Sequence, residues 1–492
     1  MAGSIPSPSV DPQGSTPSSS DGSNYRGAFG LLTVLFFMWG FITVVNDPLI
    51  AAFKKIFQLS ALQASLVQFA FFIAFFVVSV IYFLISSTSG SDPINRLGYK
   101  RGMAVSLLVC SLGCFAFYPA ALAESYALFL VALFILASGI ALLQICANPY
   151  AAIMGDKRTA SSRLNFAQGL NSLGTTIAPL TASVLIFEFF TQNSEPTLEA
   201  ISSTYLLTGS LFLLIAGIVA VAKMPTYTNP EVIEPGTGVL RFPQLAKGIP
   251  AIFCYVGAEV TVGSFMMLYM EKVLGLAEVE AGAYLAFYWG GIMIGRLLGA
   301  VAFDESRPTA TKYPMMAGIA VVVFLFIYGI KGLQFVDGAI VFEGLGFSEV
   351  TYYLLFLGVS FSGFGIGRAN AARTLSIFAA VAIGLLLLGA LGGKSELALW
   401  ALLSLGLFNS IMWSNIFTLA IKDLGKYTSQ GSSLLIMAIV GGAFLPILQG
   451  FMIDQVGVQL SFLTPVLCYL YILYYGLAGH KGKTVEQVDR SS

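Results

Sequence analysis

The chain has 492 residues, 57% of them hydrophobic and only 10% charged, with a formal net charge of +0. A soluble domain is about 45–50% apolar and about 25% charged, so a water-soluble fold is excluded, and the balanced charge gives no ground for a nucleic-acid partner. Apolar runs of about 20 residues recur along nearly the whole chain, each long enough to cross hydrocarbon. The runs are continuous rather than alternating. They read as helices, because every backbone polar group in lipid needs an internal partner.

In chain order, residues 1–25 are rich in Ser, Pro, Gly and Asp and lack the basic start and apolar stretch of a signal peptide; they read as a disordered cytoplasmic tail. A first bundle, 26–222, holds six spans at about 28–52, 61–86, 103–122, 126–150, 166–188 and 204–222. A polar stretch with four prolines, 223–249, reads as a cytoplasmic linker. The second bundle, 250–480, holds eight spans at about 250–273, 281–303, 313–330, 350–367, 373–393, 396–421, 431–453 and 459–479, followed by a cytoplasmic tail, 481–492. That makes an all-α polytopic membrane protein of about 14 spans.

The basic residues orient it. With the N-terminus inside, 19 of the 25 Lys and Arg residues fall in inner segments, and the outer loops keep Lys54, Lys55, Lys272, Lys331 and Lys394, with Arg296 inside a span. The positive-inside rule therefore expects both termini in the cytoplasm and a multi-pass protein of the plasma membrane. The cysteines Cys110, Cys114, Cys146, Cys254 and Cys468 all lie in apolar segments without metal spacing and read as small packing residues. The one histidine, His480, is in the tail. No catalytic or metal constellation is present, so no enzyme and no cofactor is expected.

An internal repeat joins the halves. At an offset of 267, Asn148 matches Asn415, Ser162 matches Ser429, Gly174 matches Gly441 and Pro179 matches Pro446. Two related helical bundles with a cytoplasmic linker are the build of a major facilitator carrier, which binds its substrate at the midplane between the halves. Gly291, Gly295 and Gly299, four apart, read as a close-packing stripe.

Several motifs carry a more specific resemblance. They are Phe37-Met38-Trp39-Gly40-Phe41 with Asn46-Asp47, Gln144-Ile145-Cys146-Ala147-Asn148-Pro149-Tyr150, and the run from Ser161 to Gly174. Tyr255-Val256-Gly257-Ala258-Glu259, the run from Ile416 to Gly425, and Gly431-Ser432-Ser433 continue the series in the second half. In this order they are similar to the fucose–proton symporter family of the major facilitator superfamily. The resemblance implies two six-helix bundles. The segment 304–370 departs from it and reads as an inserted two-helix hairpin, its outer loop carrying Asp337, Glu343 and Glu349. Gln144 replaces a glutamate of the fucose symporters and Glu259 replaces a glutamine, which looks like the glucose/galactose branch. In the inner loop Asn95 to Arg101, Asn95 stands where the superfamily carries an aspartate.

The candidate residues follow from chemistry. Asp47 and Glu259 are carboxyls inside apolar helices, where an ionised group is costly unless it faces a cavity, pairs or takes a proton. Pro48 leaves the Val44 carbonyl without its helical partner, so Asp47 reads as a proton or sodium site, or as an interhelix hydrogen-bonding group. Glu259 reads as a second coupling carboxyl or as a partner of Arg296, which either snorkels toward the cytoplasm or pairs with a carboxylate. Amides both donate and accept, so Gln68, Gln144, Asn148, Gln168, Asn171, Asn409 and Asn415 are candidates for sugar hydroxyls, and Trp413 for stacking on the ring or for packing. The expectation is a monomeric carrier importing a glucose- or galactose-type hexose with H⁺. Na⁺ coupling, L-fucose as substrate, an uncoupled facilitator and a sugar-binding membrane sensor are the alternatives.

Overall fold

The structure, a computed structural model, describes residues 22–89, 91–190, 197–226, 236–276, 278–336, 339–342 and 346–489. Residues 1–21 of the tail, Glu195, Asp337 and Glu343 lie outside the described residues, as do the side chains of Asp47 and Pro179.

The first bundle comprises α1 (Gly22–Val44), α2 (Asn46–Ile56), α3 (Ala61–Thr88), α4 (Pro93–Leu97), α5 (Tyr99–Phe115), α6 (Phe117–Leu122), α7 (Tyr126–Ile153), α8 (Ala160–Val184) and α9 (Leu198–Val221). The second comprises α10 (Pro243–Tyr269), α11 (Glu278–Ala302), α12 (Thr309–Gly332), α13 (Thr351–Gly367), α14 (Ala371–Leu391), α15 (Glu396–Asn409), α16 (Met412–Ala420), α17 (Thr428–Met437), α18 (Gly441–Val456), α19 (Val458–Ser461) and α20 (Thr464–Tyr474), with a short α21 (Val485–Asp489) at the end. Among the described residues, 12 helical stretches are long and apolar enough to cross a membrane. The more polar α8 and the 17-residue α13 fill the remaining two places, giving six crossings and then eight.

Several crossings are broken, and proline chemistry accounts for the breaks. α1 ends at Val44, four residues before Pro48, whose nitrogen has no hydrogen to offer the Val44 carbonyl, and α2 begins at Asn46. α5 gives way to α6 at Ala116, again ahead of a proline, Pro119. Within α7, Pro149 leaves the Ile145 carbonyl free, and Ser432 of α17 donates to it at 3.2 Å.

Close packing rests on glycine. A side chain at Gly174 would strike the backbone of Phe37, and one at Gly40 would strike Asn171, so α1 and α8 meet almost backbone to backbone. The stripe Gly291, Gly295, Gly299 lets α11 lie against Leu407, Ser410 and Ile411.

α8 and α10 start earlier than hydropathy suggests, at Ala160 and Pro243. Their first turns are polar and lie at the linker end, where helix continues beyond hydrocarbon. Arg163 explains the first case: it donates to the carbonyls of Ala151 (3.0 Å) and Asp156 (2.8 Å), closing the end of α7 over the start of α8.

The segment 304–370 forms the expected helical pair. α12 packs on α11, and α13 packs on α15 and α14. Between them lies a feature the hydropathy reading did not foresee. β1 (Leu333–Val336) pairs antiparallel with β2 (Ala339–Phe342), with Leu333 opposite Phe342. The signal was Asp337-Gly338 between two apolar runs, a strong short-range hairpin pattern.

The bundles are tied together at the linker end. Asn95 Nδ2 donates to the Lys426 carbonyl (3.0 Å), Tyr99 and Ser429 share a hydroxyl bond (2.9 Å), and Ser161 and Thr418 share another (2.9 Å). Beneath them Asp92 is 1% exposed. It accepts from Tyr82 OH (2.6 Å), Ser86 Oγ (3.2 Å) and the amides of Ile94 (2.9 Å) and Asn95 (3.2 Å), capping α4. Burial pushes its carboxyl above the usual carboxylate range, against the lowering effect of those hydrogen bonds.

Candidate functional site

A cavity of about 140 Å³ lies between the bundles at mid-depth. Its first-bundle wall comes from α1 (Trp39, Gly40, Thr43), α3 (Phe71, Phe72, Phe75), α7 (Gln144) and α8 (Gln168, Asn171, Thr175). The second bundle supplies Tyr255, Val256 and Glu259 from α10, Arg296 from α11, Trp413 from α16, and Ile439. Both bundles therefore supply aromatic rings, the first adding amides and the second a charge pair, which suits a ligand with an apolar face and a rim of hydroxyls.

The polar side is built around Arg296, which is 8% exposed. Its Nη1 donates to Ser172 Oγ at 2.6 Å and lies 3.4 Å from Asn171 Oδ1 and from the Gln168 carbonyl, all on α8. Its Nε faces the Ser410 carbonyl at 3.4 Å. Its Nη2 stands 3.9 Å from Glu259 Oε1. The side chain thus pairs rather than snorkels. A guanidinium offers five donors in a fixed fork, and here the fork spans both bundles. Glu259 Oε1 also accepts from Tyr255 OH at 2.6 Å, one helical turn back on α10.

The sequence candidates distribute unevenly. Gln144, Gln168, Asn171, Glu259 and Trp413 line the cavity together. Asn171 additionally donates to the Phe36 carbonyl at 3.0 Å, which aims its oxygen at Arg296. Asn148 is fully buried behind the wall, donating to the Gln144 carbonyl (3.1 Å) and accepting from Gln168 Nε2 (3.4 Å). Asn415 sits toward the linker end, donating to the Ala371 carbonyl (3.2 Å) and facing Asn165 (3.4 Å). Asn409 is buried among Tyr288 and Tyr469, off the cavity wall. Gln68 is half-buried on α3, also off the wall. The Asp47 side chain lies outside the described residues.

Of the aromatic wall, residue chemistry alone named Trp413 and passed over the rest. Trp39 packs on Phe36 with ring centroids 3.9 Å apart, and Phe71 on Phe75 at 5.3 Å. Trp413 stacks on Phe417 at 6.0 Å. In a chain this rich in phenylalanine such residues carry no sequence signal of their own. Trp39, Tyr255 and Phe417 stood inside the motifs that carry the family resemblance.

The chain matches the Major Facilitator Superfamily over residues 28–367. It is 39% identical to the glucose/galactose transporter of Brucella abortus over 467 residues, covering 93% of this chain and 95% of that protein. It is 27% identical to the L-fucose-proton symporter of Escherichia coli over 478 residues, covering 92% of this chain and 93% of that one. Its fold resembles the crystal structure of the Major Facilitator Superfamily transporter FucP in the outward conformation, with a TM-score of 0.70 and 25% identity, covering 92% of this chain and 98% of that one.

Proposed function

This chain belongs to the Major Facilitator Superfamily, and from that premise we propose that it imports a hexose of the glucose/galactose type by symport with H⁺. The observation that carries the reading is the Glu259–Arg296 pair at 3.9 Å in a cavity walled by aromatic rings of both bundles and amides of the first. The names of the relatives support the sugar and the proton, since one is a glucose/galactose transporter and another an L-fucose-proton symporter.

In this reading Glu259 and Asp47 are the coupling carboxyls. Gln144, Gln168, Asn171 and Trp413 meet the sugar directly, and Asn148 supports Gln168 from behind. An ionised Glu259 holds the guanidinium toward the second bundle. A protonated Glu259 leaves Arg296 with its partners on α8, across the bundle interface. Proton binding therefore changes the balance between two arrangements of the bundles, which is what coupling requires. The ties at the linker end keep that end shut. With the linker in the cytoplasm of a plasma-membrane protein working as a monomer, the present arrangement is the outward-facing one.

The test is uptake of labelled sugars into proteoliposomes under an imposed pH or Na⁺ gradient. Aldohexoses should block uptake better than L-fucose, and a pH gradient alone should drive accumulation. Dominant inhibition by L-fucose would overturn the sugar, and accumulation that needs Na⁺ would overturn the proton.

A further inference from the structure

Three buried side chains form a directed chain that ends on the backbone of Glu259. Tyr469 OH on α20 donates to Asn409 Oδ1 on α15 at 2.6 Å. Asn409 Nδ2 donates to Tyr288 OH on α11 at 3.1 Å. Tyr288 OH in turn donates to the Glu259 carbonyl on α10 at 2.7 Å. All three residues are fully buried, and none of them lines the cavity. The direction is fixed by chemistry. A tyrosine hydroxyl has one hydrogen, and Tyr288 spends it on the carbonyl, so it must receive from the amide nitrogen of Asn409.

We propose that Asn409 and Tyr288 are positioning residues for the coupling carboxyl, holding the Glu259 turn of α10 against α11, α15 and α20 so that its side chain stays within reach of Arg296 and Tyr255. The proposal rests on the reading of Glu259 as a proton site. The geometry favours positioning over packing for two reasons. The chain reaches the backbone of this one residue, which a hydrophobic contact would have no need to select. A side chain at Gly263, one turn along α10, would press on the Tyr288 and Trp289 rings, so the fold keeps room for Tyr288 to approach α10. A carboxyl held 3.9 Å from a guanidinium senses small displacements strongly in a low-dielectric interior.

The charged and titratable groups facing Glu259 are Arg296 and Tyr288 from α11, Tyr469 from α20 and Tyr255 on its own helix. α8 and α16 bring it uncharged groups among the described residues. Arg296 and Tyr255 both favour the ionised carboxyl, so loosening its placement should move the midpoint of pH-dependent uptake toward higher pH.

The experiment measures pH profiles of gradient-driven uptake and of counterflow for Tyr288→Phe and Asn409→Leu in proteoliposomes. Each variant should displace the uptake midpoint by about half a pH unit or more, a change of about threefold in proton affinity, with counterflow retained. Tyr469→Phe, at the far end of the chain, should displace it less. In a Glu259→Gln background Tyr288→Phe should leave the pH profile of counterflow unchanged. A midpoint unmoved in both Tyr288→Phe and Asn409→Leu, with Glu259→Gln abolishing accumulation, would overturn positioning and leave the coupling reading intact. Normal accumulation and an unchanged profile in Glu259→Gln itself would overturn the coupling reading first.

Discussion

Arg296 donates to Ser172 Oγ at 2.6 Å while its other terminal nitrogen stands 3.9 Å from Glu259 Oε1, so one side chain joins the two bundles across the cavity. A buried pair of this kind adds little net stability while intact, but removing one partner costs about 3–5 kcal/mol because the other charge is stranded. Arg296→Met should therefore lower the unfolding temperature in detergent, and adding Glu259→Gln should restore most of the loss. Arg296→Lys keeps the charge but gathers its donors on one nitrogen, which cannot serve Ser172, Ser410 and Glu259 together. Gradient-driven uptake should fall about tenfold or more in that variant at matched protein levels. Unchanged uptake by Arg296→Lys would mean that the fork geometry plays no part in transport.

Asp47 follows the break between α1 and α2, in the first turn of α2. Asp47→Asn preserves size and most hydrogen bonding while removing the titratable group. Concentrative uptake should vanish, whereas counterflow, which needs only the loaded carrier to reorient, should survive. Full accumulation by this variant would rule Asp47 out and leave Glu259 as the coupling carboxyl of the two.

Asp92 gives a pH-dependent signature outside the spans. Burial raises its folded-state affinity for a proton above that of the unfolded chain. The ionised group therefore costs stability at high pH, and the cost is relieved as pH falls through the folded value. Asp92→Asn retains an oxygen for the Ile94 and Asn95 amides without the charge. The variant should unfold at a higher temperature than wild type at alkaline pH, with the gap closing as pH falls through the folded value. Asp92→Ala also removes the cap on α4 and should be less stable than Asp92→Asn by about 1–2 kcal/mol at any pH. A gap between Asp92→Asn and wild type that stays constant with pH would show that Asp92 does not titrate differently on folding.

The inserted pair α12–α13 predicts topology. Asp337→Cys, in a background lacking the native cysteines, should react with a membrane-impermeant thiol reagent added from outside. Reaction only after the membrane is opened would place the β1–β2 tip on the linker side and reverse the orientation of both added helices.

Much of the architecture was legible because lipid imposes simple rules. Apolar length set the number of crossings, and Pro48 marked the break between α1 and α2. The stripe at Gly291, Gly295 and Gly299 foretold a close approach that the contacts of α11 with Leu407, Ser410 and Ile411 display. The β-hairpin was written in Asp337-Gly338 but masked by a hydropathy reading, which registers apolar content and not period. Within the site, chemistry identified the polar groups without saying which way they face. Asn171 turns its side-chain oxygen to the Arg296 guanidinium, and Gln168, which lines the same cavity, turns its side chain to Asn148. Asn409 is as polar as either, yet its helix turns it to Tyr288 and Tyr469. Arg296 was ambiguous for a related reason: a long cationic side chain near the inner half of a span reaches either the lipid surface or a buried carboxylate, and only the depth of Glu259 decides between them.

The ties at the linker end join a side-chain amide to a carbonyl, hydroxyl to hydroxyl twice, and the Ser432 hydroxyl to the carbonyl that Pro149 leaves free. None of these four contacts pairs opposite charges. Dissolved ions screen separated charges over about 8 Å at physiological strength but act only weakly on short neutral hydrogen bonds. A latch of this composition holds with nearly the same strength in dilute and in concentrated salt. Under the proposed function, these four contacts leave the balance between the carrier's two orientations to its proton and its sugar.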